Sequence, residues 1–364
     1  MENQTEKKPK HLISLLVLFA LIGFMFLFLF RGYSFAKIFQ IVKRANPAYL
    51  LLALGMMFLY VSCEAYNIFS ITGALKQTLP FKRCLQYAFV GFYFCAITPS
   101  STGGQPAQVY YMKKDGVNIS YSSLTLLIVI LVYQVCMLLY GAAMLLTHFS
   151  FLAKKITPIR PFLIYGMGIG ILFSILILCI IFSKKLVYAI VRFFVRFFTK
   201  VRLIKDPLRA ENRVTEQIDE YERGVRYLKT NPMLLLRIVL ATFVQLTAFF
   251  LVPFFVYRSF GMRHYGVYDF LSMQVLLHLS VCSLPLPGAV GASENAFMRV
   301  YRSILPERMV MPSLVLSRGI SFYSFLVISG IVTIFTHVRT HRPPKQLTAA
   351  QKTPNPTANN QPKG

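Results

Sequence analysis

Long apolar runs with short polar punctuation between them dominate the chain from residue 12 to about residue 336. Six of them approach or exceed the roughly 20 residues that cross a hydrocarbon core as a helix. They are Leu12–Phe30, Ala48–Ile71, Leu124–Leu146, Phe162–Phe182, Met233–Tyr257 and Leu314–Phe335. Two further runs differ. Tyr87–Met112 and Phe270–Tyr301 each start apolar, meet a Pro/Gly-rich turn before spanning length, and resume as a second helical stretch. In hydrocarbon the backbone must satisfy its own hydrogen bonds, so such breaks belong inside protein or against a wet cavity. The two breaks share the spacing P-x-x-x-G, as Pro99 with Gly103 and Pro287 with Gly291, at an offset of 188 residues (287 − 99 and 291 − 103). Paired Gly/Pro-interrupted segments in two halves of a chain point to a transporter-type site where the halves meet. The competing explanation is two unrelated loops that share proline and glycine because loops do.

The pattern predicts an all-α polytopic membrane protein with about six full spans plus two re-entrant helical hairpins in an inverted repeat. The repeat halves fall at about 48–146 and 233–335 within a transmembrane domain over 12–336. Residues 1–11, the linker 183–232 and the basic tail 337–364 are placed together on the cytoplasmic side of a bacterial-type cell membrane. Lysine and arginine favour that side, and both termini then face it. Each broken segment must then enter and leave on one side, the first from the cytoplasm and the second from outside. The loop with Arg31, Lys37, Lys43 and Arg44 falls outside, against the same tendency. Lys7, Lys8 and Lys10 ahead of the first run raise a signal peptide, but no small-x-small cleavage site follows, so a retained helix is expected.

Composition agrees, with 55% hydrophobic residues, 33 Phe and a mean hydropathy of +0.56. The net charge of +26 raises nucleic acid as a partner. Its placement argues against direct binding, because no soluble basic fold is visible. The densest basic stretch, Lys184–Lys229, puts Arg192, Arg196 and Lys200 at i, i+4, i+8 among Phe193, Phe194, Phe197 and Phe198. That suits a helix lying on an anionic leaflet; a loop that only fixes topology fits equally well. A second amphipathic helix is expected behind it, with Val214, Ile218, Tyr221, Val225 and Leu228 on one stripe. The six cysteines form no C-x-x-C pair and read as small core hydrophobes. His337 and His341 lack the further ligands a metal would need. Gly166, Gly168 and Gly170 lie inside a span and read as a helix-packing feature. No cofactor is expected.

Ionisable residues inside a membrane are costly and usually pair or line a cavity. Glu64, Glu294 and Arg318 stand out, with Arg237 near enough to a span end to snorkel. Arg318 has two candidate partners, Glu294 and Glu64, and an ion pair to either would lock helices together. The functional reading gives Arg318 an anionic headgroup to hold while a carboxylate orients it. Thr98, Ser100, Ser101, Thr102, Gln105 and Gln108 could supply neutral hydrogen bonds, and the glycines let backbone amides approach an oxyanion. Ser317, Ser321 and Ser324, at i, i+4, i+7, predict a polar row beside Arg318.

The stretches TPSSTGGQPAQVYYMKKDGV and PLPGAVGASENAFMRVY resemble the two signature turns of the lysylphosphatidylglycerol synthase transmembrane-region family. That family includes the membrane half of phosphatidylglycerol lysyltransferase, the multiple peptide resistance factor. The resemblance runs to about His337 and implies a flippase-like fold with two re-entrant hairpins. In two-part members the membrane half moves lysyl-phosphatidylglycerol between leaflets, and a cytosolic acetyltransferase-like domain makes that lipid from lysyl-tRNA. The resemblance supports Pro99, Gly103 and Gly104 in the first turn, and Pro287, Gly288, Gly291, Glu294 and Arg318 in the second half. Many relatives carry an acidic residue where this chain has Gln105.

Only 28 residues, rich in Pro, Gln, Asn and Thr, follow the last span, and they are expected to be disordered. They are too few for a synthase domain, so this chain is not expected to be an enzyme by itself. Three functions follow as expectations. The first is translocation of an aminoacylated or anionic phospholipid, linked through lysyl-phosphatidylglycerol to cationic peptide resistance. The second is a phosphatidylglycerol lysyltransferase, alone or with a separate cytosolic synthase. The third is a non-transporting membrane scaffold. A membrane phospholipid is the expected partner, and self-association into a homo-oligomer is left open.

Overall fold

The computed structural model describes residues 35–183, 188, 220–227 and 230–340, and among these the regular structure is entirely helical. In chain order the helices are α1 (Phe35–Lys43), α2 (Pro47–Ala74), α3 (Phe81–Ile97), α4 (Gly104–Lys114), α5 (Ile119–Thr147), α6 (Phe149–Lys155), α7 (Arg160–Phe182) and α8 (Pro232–Ser259). They continue with α9 (Val267–Val281), α10 (Ala292–Tyr301), α11 (Glu307–Arg318) and α12 (Phe325–Thr340). A π-helical turn, Gly319–Ser324, joins α11 to α12.

Five stretches are long and apolar enough to cross a bilayer: Pro47–Ala74, Ile119–Thr147, Thr157–Phe182, Pro232–Ser259 and Glu307–Thr340. They contain five of the six spans read from the sequence; the sixth, Leu12–Phe30, lies outside the described residues, as does the basic helix around Arg192–Lys200. Local chemistry sets the starts. Asn46 caps α2 by accepting from the Ala48 amide at 2.9 Å, with Pro47 at the first helical position, and Asn118 caps α5 through Ser120 at 2.9 Å. α7 shows why apolar length means membrane here. Its buried positions, Leu163, Gly166, Gly170, Ile177 and Ile181, form one stripe toward the bundle, while Ile164, Leu172 and Ile175 stay more than half exposed. A surface of that kind needs lipid against it.

α2 packs along α8, joined by the Asn67 amide donating to Thr242 at 3.0 Å and by Tyr60 against Phe249. Gly166 and Gly170 behave as packing glycines. A Cβ on Gly166 would drive into the Leu279 carbonyl of α9, and one on Gly170 would meet the Gln134 amide of α5. Gly168 faces open space, so only two of the three glycines carry the contact.

The two broken segments are helix–turn–helix hairpins that enter from opposite ends of the bundle. At one end the Tyr111 hydroxyl meets His337 Nδ1 at 3.2 Å, tying the end of α4 to the end of α12. The helical residues 220–227 dock there too: Asn118 hydrogen-bonds Glu220, and Tyr221 and Val225 pack with Leu75, Leu124, Ile177 and Ile181. The part of the expected amphipathic stripe that is described therefore faces protein. At the other end the Asn46 amide donates to the Ser259 carbonyl at 2.8 Å, His148 lies 3.5 Å from Asp269, and Phe270 packs on Tyr301. The α3–α4 hairpin opens toward the first end and the α9–α10 hairpin toward the second. Their tips touch each other.

Candidate functional site

Both tips have the same backbone. Pro99–Ser101 and Pro287–Ala289 are single 3₁₀ turns, and each puts the two residues after its proline in the left-handed region. The φ values are 51° and 55° at Ser100 and Ser101, and 56° and 51° at Gly288 and Ala289. Three of these four are not glycine, and such strained conformations persist only where surrounding structure enforces them. The P-x-x-x-G spacing thus encodes one turn used twice. The match ends at the second glycine, where Gly291 has φ of 86° and Gly103 has −83°. Gly103 is required for space instead: a Cβ there would come within 2.5 Å of Thr98 Cγ2.

In the second hairpin, Glu294 is the third residue of α10, and its carboxylate reaches back to accept the Gly291 amide at 2.6 Å. This is the reciprocal half of a capping box. It holds the carboxylate at a helix N-terminus, where negative charge is favoured. Ser293 donates to the same oxygen at 3.1 Å, and Arg318 Nε donates to the other at 2.7 Å. Glu294 is almost fully buried and Arg318 is largely so. One Arg318 Nη2 proton goes to the Gly288 carbonyl at 3.3 Å, and the guanidinium lies 4.4 Å from the Phe322 ring centroid. Of the five guanidinium N–H donors, three have no acceptor among the described residues. Gly288 fits only as glycine, since a Cβ would collide with the Phe322 ring. Tyr323 also hydrogen-bonds Glu294.

In the first hairpin, Gln108 is buried in α4, and its amide nitrogen donates to Glu64 of α2 at 3.0 Å and to the Tyr87 carbonyl at 3.1 Å. Small residues make that reach feasible. A Cβ on Gly91 would occupy the Gln108 amide, and one on Gly104 would occupy Cys95 Sγ. Tyr60 and Tyr133 lie beside each other, within electrostatic reach of Glu64. The base of the hairpin is clamped by Tyr87 donating to Asp115 at 2.5 Å, with Arg83 at 3.5 Å from the same carboxylate.

The predicted residues fall at the two touching tips and in two separate side-chain clusters. Pro99 and Pro287 set the facing tips, and Ala96, Phe322, Leu326, Tyr93, Ile97 and Val290 pack them against α12. Arg318 pairs with Glu294; Glu64 belongs to Gln108. Gln105 is half-buried and makes no side-chain hydrogen bond among the described residues. Gln108 is fully engaged as a donor, so it acts as a support. Thr98 is likewise occupied: its hydroxyl donates to Phe94 and accepts the Gly103 amide. The serine row does not form as expected, because the helix is π-wound across 319–324 and the 3.6-residue register is lost there. Ser317 is buried with no hydrogen-bond partner for its hydroxyl among the described residues, and Ser324 donates to the Gly319 carbonyl at 2.7 Å. Insertions of this kind frequently sit at functional sites. Sequence reasoning missed Tyr60, Tyr133, Phe322, Tyr323 and His278. His278, whose ring packs on Phe249 and Phe250 within electrostatic reach of Arg318, could have been found as a lone histidine in an apolar run.

Cysteines placed at Ser101 and Ala289 in a background without other cysteines should be joined by a short bifunctional thiol reagent. Efficient joining of Ser101 to a site at the base of the second hairpin instead would contradict facing tips.

The fold and the paired turns define a polytopic α-helical membrane protein built around two opposed hairpins. The family described as the lysylphosphatidylglycerol synthase TM region matches residues 12–329, and the chain belongs to it. It is also similar to a UPF0104 membrane protein of Archaeoglobus fulgidus, 21% identical over 85% of this chain and 93% of that protein. A second UPF0104 membrane protein, from Pyrococcus horikoshii, is 23% identical over 81% of this chain and 89% of its own length.

Proposed function

We propose that this chain translocates a phospholipid with an anionic phosphate, lysyl-phosphatidylglycerol being the cargo that its family suggests, between the leaflets of the cell membrane. The observation that carries the reading is the Glu294–Arg318 pair under the second tip. An arginine used only to neutralise Glu294 would be satisfied by a two-pronged grip. Here a single Nε contact joins the two, and the free Nη donors suit a second, incoming oxyanion. Family membership supports a lipid substrate, and the opposed hairpins suit alternating access from the two sides. In this reading the end carrying His337 and residues 220–227 is cytoplasmic.

The test is lipid mass spectrometry, leaflet by leaflet, in cells with and without the gene. Loss should leave total lipid composition unchanged, lower outer-leaflet exposure of the cargo and raise sensitivity to cationic peptides. A fall in total lysyl-lipid would instead favour a lysyltransferase working with a separate synthase, the reading that the family description keeps alive. An unchanged distribution of every phospholipid would leave the scaffold reading.

A further inference from the structure

The two carboxylates inside the bundle are held in opposite ways. Glu294 is neutralised by Arg318 and accepts from Gly291, Ser293 and Tyr323. Its charge is matched and built into a helix cap. Glu64, in the second half of α2, has no such match: among the described residues, no lysine, arginine or histidine forms an ion pair with it. Among the described residues its one hydrogen-bond donor is the neutral amide of Gln108. The groups around it are the Tyr60 hydroxyl on its own helix, Tyr133 of α5, and Cys95 of α3, with Cys282 beyond Tyr133. None is a cation.

An unpaired carboxylate within a membrane is expensive unless it can shed its charge. Gln108 fits both forms of the group. Its N–H can donate to a carboxylate oxygen or to the carbonyl oxygen of the protonated acid, so protonation breaks no contact. An arginine partner would strongly oppose that change. The hairpin also aims the amide deliberately. Gln108 is fixed by the Tyr87 carbonyl at 3.1 Å and passes through the space that Gly91 leaves. Gln108 and the Pro99 tip belong to one hairpin, so the state of Glu64 bears directly on the element that meets the second hairpin.

We propose that Glu64 is a proton-binding site that couples lipid movement to the transmembrane proton gradient. A proton from one aqueous side adds to a Glu64 carboxylate oxygen, and the same O–H bond releases its proton to the other side when the hairpins exchange access. The inference rests on the translocator reading for its cargo, while the proton site itself stands or falls separately.

Two measurements separate them. In the first, the full chain is reconstituted into phosphatidylglycerol-containing vesicles with a fluorescent phosphatidylglycerol, and its leaflet distribution is read by a membrane-impermeant quencher. For one proton per lipid, a gradient of one pH unit should shift the leaflet ratio about tenfold at equilibrium. Glu64→Gln, which keeps an acceptor for Gln108, should show no shift, and Glu64→Asp should retain one. A wild-type distribution that ignores the pH gradient while lipid still exchanges overturns the coupling, as does a response to a sodium gradient instead. In the second, infrared difference spectra of the wild-type protein across a neutral pH step should show a protonated-carboxyl band that is absent from Glu64→Gln. If that band appears and no lipid moves, the cargo is wrong and the proton site stands. If no band depends on Glu64, the proton site is overturned whatever the lipid does.

Discussion

Arg318→Lys should cripple lipid translocation while leaving the protein inserted and abundant. Lysine keeps the charge that Glu294 needs, so the buried carboxylate is not abandoned. It cannot reproduce the geometry, because one ammonium must replace an Nε contact at 2.7 Å, an Nη2 contact at 3.3 Å and the free edge beyond them. A charge-assisted hydrogen bond contributes about 1.5–3 kcal/mol, which corresponds to roughly a ten- to hundredfold fall in rate. Arg318→Ala should behave differently. It strands Glu294, an omission that in buried pairs costs about 3–5 kcal/mol, so the protein should lose both accumulation and transport. Leaflet exchange in vesicles, set beside the amount of protein in the membrane, distinguishes the two. Normal exchange in the lysine variant would remove the headgroup role, and normal exchange in both would leave Arg318 no part in transport.

The largest stability effect is expected at Gly166, where added bulk has nowhere to go. A Cβ there would collide with the Leu279 carbonyl, a backbone atom that cannot rotate aside. α7 and α9 would have to separate, and overpacking of this severity destabilises by roughly 3 kcal/mol or more. Gly170→Ala meets only the ends of the Gln134 and Leu138 side chains, which can move aside, so its loss should be smaller. Gly168→Ala meets nothing and improves helix propensity by up to about 1 kcal/mol, so it should be neutral or slightly stabilising. Thermal unfolding in detergent should therefore rank the three as Gly166, then Gly170, then Gly168. Equal effects would mean that α7 does not pack on α9 as described. Because α9 leads into the second tip, Gly166→Ala should also weaken any activity that depends on the facing turns.

The sequence alone was enough to read the membrane class, five of the spans and the existence of two matched turns. Those properties are local. Spanning length, apolarity and the φ restrictions of a proline followed by strained residues are carried by contiguous segments, and a repeat at constant offset survives whatever surrounds it. The same locality made Arg318 and Glu294 visible, because a charge inside an apolar run is conspicuous without knowing its neighbours. Which charges meet was decided by the tertiary structure. Glu294 and Glu64 were equal candidates for Arg318 on paper. The Gly291 cap and the end of α11 bring Glu294 to the arginine, while α4 carries Gln108 to Glu64 across 44 residues of chain. Gln108 looked like a free donor until Gly91 was seen to leave room for its amide. The serine row failed because a π turn changes helical register after Arg318, a change that periodicity counted at 3.6 residues per turn cannot register. Partnership between groups far apart in the chain depends on how helices pack, and packing is a property of the assembled bundle that no single segment carries.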